Sequence, residues 1–466
     1  MSGLEVVRHA ASFRDPAGFV FEQDGRLFRA VHPDAIADVE TLFASGLHDE
    51  LVRDGLLVPH RRVDDGPALA VGWLLLEAER LPLISYACEW TDAQLMAASA
   101  LTLQVQRRAL KHGLTLKDAS SFNVQFRGAC AIFIDLLSLT RLGPARAWPA
   151  YRQFCEHFLA PLALRKHLPT AFTLPLGLDG VALPAASRLL PAQTWLSPGL
   201  ALHVHLHARA MTGTSERRRP AAGTASTKAA AEFQDRLAAS LEQALAGLRP
   251  KPRRSAWSDY RQTNVYSESS AATKMRFVRD VVDQTGARRA LDLGANDGHY
   301  ARALVDMGVA CTAVEVDAAC SEQLYASSVD PRYAALLNTL RVDLTNPTPA
   351  HGWAHSERAS FAERSHCDLV LALALLHHLS ITHQVPFDRI AAYLAQLAPT
   401  AVVEFVPTAD PMAQRLLAAR EGVTDAFLES LSARSFEEAF APLFDCPGRS
   451  EALEGGRVLY HFQRRH

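Results

Sequence analysis

The stretch "LDLGANDGHY" (residues 291–300) begins as an apolar strand and breaks into a tight turn that carries two glycines, Gly294 and Gly298. A strand that runs into a glycine turn and then a helix brings backbone close to a nucleotide-like ligand. The dinucleotide fingerprint GxGxxG needs further glycines where this chain has Asn296 and His299. The second glycine lets a pyrophosphate approach the backbone, and the third lets helix pack close on strand. Their absence argues against NAD and FAD. A ligand without phosphate, built from an amino-acid end and a nucleoside, asks less of the turn.

Outward from this turn the order is regular. "RRALDLG" and "ACTAVEV" read as strands separated by the helix "HYARALVDMG". "LNTLRVDLT", "CDLVLALALL" and "TAVVEFVP" supply further strands, with "PFDRIAAYLAQLA" as a helix between the last two. Alternation of this kind predicts an α/β unit with a parallel sheet covered on both faces, and the alternating "GRVLYHFQRR" adds a last strand. The ligand should sit at the carboxyl ends of the strands, near the switch in strand order. Glu315, 21 residues after Gly294, closes the second strand, where a carboxylate can accept from both ribose hydroxyls. Asp317 is a less favoured substitute. Asp343, followed by Leu344, closes the third strand and can accept from an adenine amino group.

"LDLGANDG", "AVEVD", "VDL" and "DLVLALALLHHL", in this order and spacing, resemble the class I S-adenosylmethionine-dependent methyltransferases over residues 257–466. The resemblance implies a Rossmann-like sheet with an antiparallel last strand and S-adenosyl-L-methionine as cofactor. It implies that Asp292, Gly294, Ala295, Asn296 and Gly298 surround the methionine end, Glu315 the ribose and Asp343 the adenine. It also places the 372–376 segment, with Ala372 and Leu373, under the transferred methyl. Asn296 departs from the usual middle glycine.

Methyl transfer from a sulfonium relies on positioning, and a general base is needed only if the acceptor must lose a proton. His377, beside His378, is the first candidate for that base and Glu404 the second; a histidine pair there could equally shape the pocket or cap a helix. The segment "WSDYRQTNVYSESSAATKMRFV", with Tyr266 as its pocket residue, is expected to fold over the cofactor.

In the first half, "LKDASSFNVQFRGACAIFID" (116–135) carries Asp118, Asn123 and, after a predicted strand pair, Asp135. Phosphotransferases need a carboxylate near the acceptor hydroxyl, and an amide with a second carboxylate to hold magnesium. The segment resembles the catalytic region of protein-kinase-like and aminoglycoside-phosphotransferase-like folds, with 92–113 as the preceding helix. "AGFVFEQDGRLFRAV" (17–31) predicts a hairpin turning at Asp24-Gly25. The resemblance implies an α+β domain over 1–210 and, if its site is active, Mg-ATP. The departures are the missing glycine-rich loop, Arg29 where a lysine would face phosphates, Leu116-Lys117 before the aspartate and Leu137 after Asp135. Asp118 and Asn123 can also be read as ordinary turn formers.

Residues 211–256 shift in composition and read as a connector that contains one amphipathic helix stopped by Gly247. His203, His205 and His207 in "HVHLHA" read as one face of a strand, and no metal site is expected from them. As a whole the chain looks like a bacterial two-part family of nodulation-type methyltransferases. A formal charge of −2 over 466 residues gives no general reason to expect nucleic acid or an anionic membrane as partner. Seven scattered cysteines without a CxxC pair fit reduced thiols, and the expected location is the cytoplasm. The expected function is methylation of a small-molecule or saccharide acceptor, with the first half binding acceptor or partner. A bifunctional methyltransferase-kinase and a binding module with a vestigial nucleotide site remain the alternatives.

Overall fold

Residues 6–465 are described by the computed structural model, apart from 68, 70, 145–146, 169–176, 213–225, 251–253, 256 and 258–267. The backbone divides into two units: Met1–Arg127, Ala131–Lys251 and Ala350–Arg358, and then Gly128–Cys130, Pro252–Pro349 and Ala359–His466.

In the first unit, Asp24 (φ 51°) and Gly25 (φ 74°) turn the chain between β1 (Gly18–Gln23) and β2 (Arg26–Val31). Both turn residues take the left-handed conformation that a two-residue hairpin requires. β3 (His60–Arg62) and β4 (Leu74–Ala78) complete an antiparallel sheet in the order β1-β2-β4-β3. Phe19, Phe21 and Phe28 fill its apolar side. The helix Asp92–Lys111 begins at a Thr91 cap whose side chain accepts from Gln94 N while Gln94 reaches back. Next come β5 (Leu114–Leu116), β6 (Val124–Arg127), β7 (Cys130–Phe133) and β8 (Leu139–Arg141), paired as β5-β8 and β6-β7.

Two expectations need correction here. The helix Thr227–Ala246 ends at Gly247 as expected, yet it belongs to the first unit rather than to a connector. It is held against Asp92–Lys111 by Gln106 Nε2 donating to Gln234 Oε1 (3.1 Å) and Arg107 Nε donating to Asp235 Oδ1 (2.8 Å), over buried Ala230, Ala238 and Leu241. The run "HVHLHA" is helical, not a strand: Ala201–Leu206 has π geometry and continues as the helix His207–Thr212. Its two-residue alternation is overridden by the helix formers on either side.

In the second unit, β9 (Arg289–Leu293), β10 (Ala310–Val314), β11 (Leu337–Leu340), β12 (Leu369–Ala372), β13 (Thr400–Phe405), β14 (Phe444–Arg449) and β15 (Val458–Arg464) form one sheet. Its order is β11-β10-β9-β12-β13-β15-β14. The first five strands run parallel; β15 lies antiparallel to both β13 and β14. Leu369, Leu371, Val402 and Leu459 are buried in its core, as near-continuous apolar strands covered on both faces must be. The order reverses at β9, so the turn after Leu293 lies at the topological switch point.

Candidate functional site

The turn after β9 is built from three left-handed residues: Gly294 (φ 74°), Asn296 (φ 49°) and Gly298 (φ 77°). Asparagine is one of the few side-chain-bearing residues that adopts this conformation readily, which accounts for Asn296 at the middle position. Gly298 starts the helix His299–Asp306, and a Cβ there would collide with Leu324. A side chain at this position would push the turn out of place.

Glu315, directly after β10, braces the turn. Its Oε2 accepts from Asn296 N (2.8 Å) and its Oε1 from Asp317 N (2.8 Å), and it is 8% exposed. Each oxygen keeps a lone pair beyond its backbone bond. Burial raises the Glu315 carboxyl above its usual range, offset in part by those backbone donors. Asp317 is used differently: its Oδ1 caps the helix Ala318–Ser328 by accepting from Ala319 N and Cys320 N, and also accepts from Ser255 Oγ. Glu315, unlike Asp317, is not committed to a helix cap.

Asp292 sits on β9 with its Oδ2 buried and without a hydrogen-bond partner among the described residues. Burial pushes its carboxyl up to about 7, with the negative charges of Glu315 and Asp297 adding to the rise. A buried acceptor without a donor is costly and calls for a partner. A cationic amine fits that demand, so the crevice suits a ligand with an ammonium end. At the third strand, Asp343 is exposed and its Oδ1 accepts from Thr345 N (2.8 Å) and Thr345 Oγ1 (2.6 Å), with Leu344 beside it. Ala372 closes β12, and Leu373 is buried next to Ala374, which is held at φ 49°. Tyr266 lies outside the described residues.

Glu404 is fully buried on β13. Its Oε1 receives Lys274 Nζ at 2.6 Å and lies 3.5 Å from Arg457 Nη1, while its Oε2 accepts from Ala374 N at 2.9 Å. Arg457 in turn forks onto Asp410 through Nε (2.7 Å) and Nη2 (2.9 Å). A carboxylate so engaged braces the 372–376 loop through the Ala374 amide. Lys274, Arg457 and Asp410 carry no motif, and nothing in the sequence singles them out. His377 is 2% exposed, and neither ring nitrogen has a hydrogen-bond partner among the described residues. Burial first, then the charges of His378 and Lys274, lower its pKa to about 3.

In the first unit Asp118, Asn123 and Asp135 come together, since Asp118 and Asp135 lie close enough for their charges to repel. Asp135 Oδ1 accepts from Arg29 Nη1 (2.6 Å) and Leu137 N (3.2 Å), and its Oδ2 from Ser138 Oγ (2.5 Å). Asn123 Nδ2 donates to that same Ser138 Oγ (2.9 Å). Burial raises the Asp118 carboxyl. Arg29 thus engages Asp135 directly, and no cluster of three metal-ligating side chains occurs among the described residues. His203 is held by Tyr151 and Ser240 hydroxyls, and His205 by Ser187 and Thr194. No helix among the described residues is long and apolar enough to cross a membrane.

Strand order, glycine turn and acidic second strand together give the second unit the fold of class I S-adenosylmethionine-dependent methyltransferases. No family model matches the chain. It is 32% identical over 469 residues to the nodulation protein NoeA of Rhizobium meliloti (strain 1021), covering 98% of this chain and 96% of that one. The chain belongs to the family of NoeA. Among solved structures, the N-methyltransferase NodS from Bradyrhizobium japonicum WM9 matches 43% of this chain and 99% of its own, at 10% identity and a TM-score of 0.31. The 16S rRNA methyltransferase RmtF in complex with S-adenosyl-L-homocysteine matches 42% of this chain and 63% of its own, at 22% identity and a TM-score of 0.28. The strand order itself defines the fold.

Proposed function

We propose that the chain methylates a small-molecule or saccharide acceptor from S-adenosyl-L-methionine bound across the 294–298 turn, while the first unit binds acceptor or partner. When bound, the cofactor supplies a methyl group already activated on a sulfonium. Asp292 would take the ammonium of the methionine end, Glu315 both ribose hydroxyls, and Asp343 with Leu344 the adenine. Ala372 and Leu373 would floor the methyl position, held there through Ala374 by the Glu404 brace. His377 is the group nearest in kind to a base, being a neutral imidazole at neutral pH.

The observation that carries the reading is the Asp292 oxygen, without a partner among the described residues, together with a Glu315 already braced toward the glycine turn. For the first unit, the Arg29–Asp135 pair favours binding over phosphoryl transfer, because the guanidinium occupies the carboxylate that would hold magnesium. Calorimetric titration of S-adenosylmethionine into wild type and Glu315→Ala tests the cofactor assignment. Saturable binding that weakens in the variant is expected, and equal affinity in both would overturn the ribose role.

A further inference from the structure

In the first unit, the loop from His351 to Arg358 is closed on itself by two backbone hydrogen bonds, His351 N to Arg358 O and Arg358 N to His351 O, both 3.0 Å. Glu357 within it is buried and fully used. Arg14 forks onto its carboxylate through Nε (2.8 Å) and Nη2 (2.9 Å), and Trp353 N donates a third bond (3.0 Å). The next residue, Arg358, has no such partner. Its guanidinium lies over the Phe122 ring, 4.3 Å from the centre, and its Nε is sealed from solvent without an acceptor. Its two terminal nitrogens are not sealed, and no hydrogen bond or ion pair engages them among the described residues. The side chain is thus packed in place with the end of its fork open. A partly buried guanidinium without a counter-charge is costly and calls for an anion.

A second donor stands within electrostatic reach. Desolvation first, and then the charge of Arg358, lower the pKa of His9. His9 Nδ1 accepts from Ala11 N (3.2 Å), so the neutral ring carries its proton on Nε2, which has no partner among the described residues. The carboxylates nearby are already spent: Glu22 accepts from Arg80 (2.5 Å), and Glu357 holds Arg14.

We infer that Arg358 and His9 form an oxyanion site on the first unit that takes a phosphate group, free or as a monoester. The terminal nitrogens of a guanidinium match two phosphate oxygens, and the imidazole N–H supplies a donor for a third. A carboxylate has two oxygens only, so the fork would use both and leave the histidine unanswered. The site gives a ligand chemistry to the unit proposed above to bind acceptor or partner, and it stands whether or not the cofactor assignment in the second unit holds.

The test uses the full chain at constant pH and ionic strength, with inorganic phosphate, methyl phosphate and acetate as probes. Binding is followed by the ring-nitrogen resonances of His9 and by calorimetric titration. Inorganic phosphate is expected to shift the His9 resonances saturably and to bind at least about 10-fold tighter than acetate. Arg358→Gln should weaken phosphate at least about 10-fold, and Arg358→Lys, which keeps the charge but loses the fork, should fall between that variant and wild type. His9→Phe should weaken calorimetric binding of phosphate about 3- to 10-fold. Resonances away from the site should stay in place in every variant, which shows that each is folded. Methyl phosphate that binds as tightly as inorganic phosphate assigns the site to monoesters; inorganic phosphate that binds alone assigns it to the free anion. No saturable shift in wild type, equal phosphate affinity in wild type and Arg358→Gln, or acetate that binds as tightly as phosphate would each overturn the site as stated.

Discussion

Asp292 in the second unit and Asp135 in the first are both carboxylates at the ends of apolar strands, yet their surroundings are opposite. Asp135 has every oxygen engaged, by Arg29, the Leu137 amide and the Ser138 hydroxyl. Asp292 keeps a buried oxygen without a partner among the described residues, and its carboxyl is pushed up to about 7. A carboxylate closed by its own chain is a brace, and removing it should cost stability. One left open is a receptor, and removing it should cost ligand affinity. Glu404 shows that the distinction is not one of units, because it is closed within the same sheet that carries Asp292.

The sharpest way to break this comparison is at Glu404. Glu404→Ala leaves Lys274 buried without its carboxylate, and loss of one partner of a buried pair costs about 3–5 kcal/mol. Urea denaturation that shows no loss for this variant would remove the brace. Glu315 is held by two backbone amides but keeps a lone pair on each oxygen, so in Glu315→Ala the loss of charge-assisted bonds of about 1.5–3 kcal/mol should raise the calorimetric Kd for S-adenosylhomocysteine about 10- to 100-fold. Asp135→Ala should destabilise by about 1–3 kcal/mol and leave that Kd unchanged; magnesium-dependent ATP hydrolysis lost in this variant would show instead that the first unit transfers phosphate.

The last test concerns pH. The folded Asp292 carboxyl titrates near 7 against an unperturbed 3.8. Its raised value means stability is highest with the proton on, declines as pH rises from about 4 to 7, and is level above that. Asp292→Asn cannot charge, so its stability relative to wild type should improve over that window. Affinity for a cationic ligand should run the other way, falling by at most about 10-fold per unit as pH drops below 7 in wild type. In Asp292→Asn it should be lower and flatter. Parallel titrations at pH 6 and pH 8 check both signs.

Much of the second unit is legible from local pattern. Apolar strands bounded by glycine turns and separated by helices predict the parallel sheet, and Gly294 and Gly298 mark where only a left-handed backbone passes. The first unit's hairpin at Asp24-Gly25 and its helix after Thr91 are readable for the same reason, since turn and cap are set by residues a few positions apart. "HVHLHA" misleads because alternation over six residues cannot outweigh the helix on either side. The helix Thr227–Ala246 is legible as a helix but not as a member of the first unit, because its partners on Asp92–Lys111 lie more than a hundred residues away.

Sequence alone thus determined the sheet, the glycine turn and the carboxylates at its strand ends, all features of short-range spacing. Tertiary structure decided which of those carboxylates are closed and which stay open. Arg29 reaches Asp135 across 106 residues and Lys274 reaches Glu404 across 130. Ion pairing depends on distance in space, and no local spacing encodes a partner brought in by the packing of remote elements.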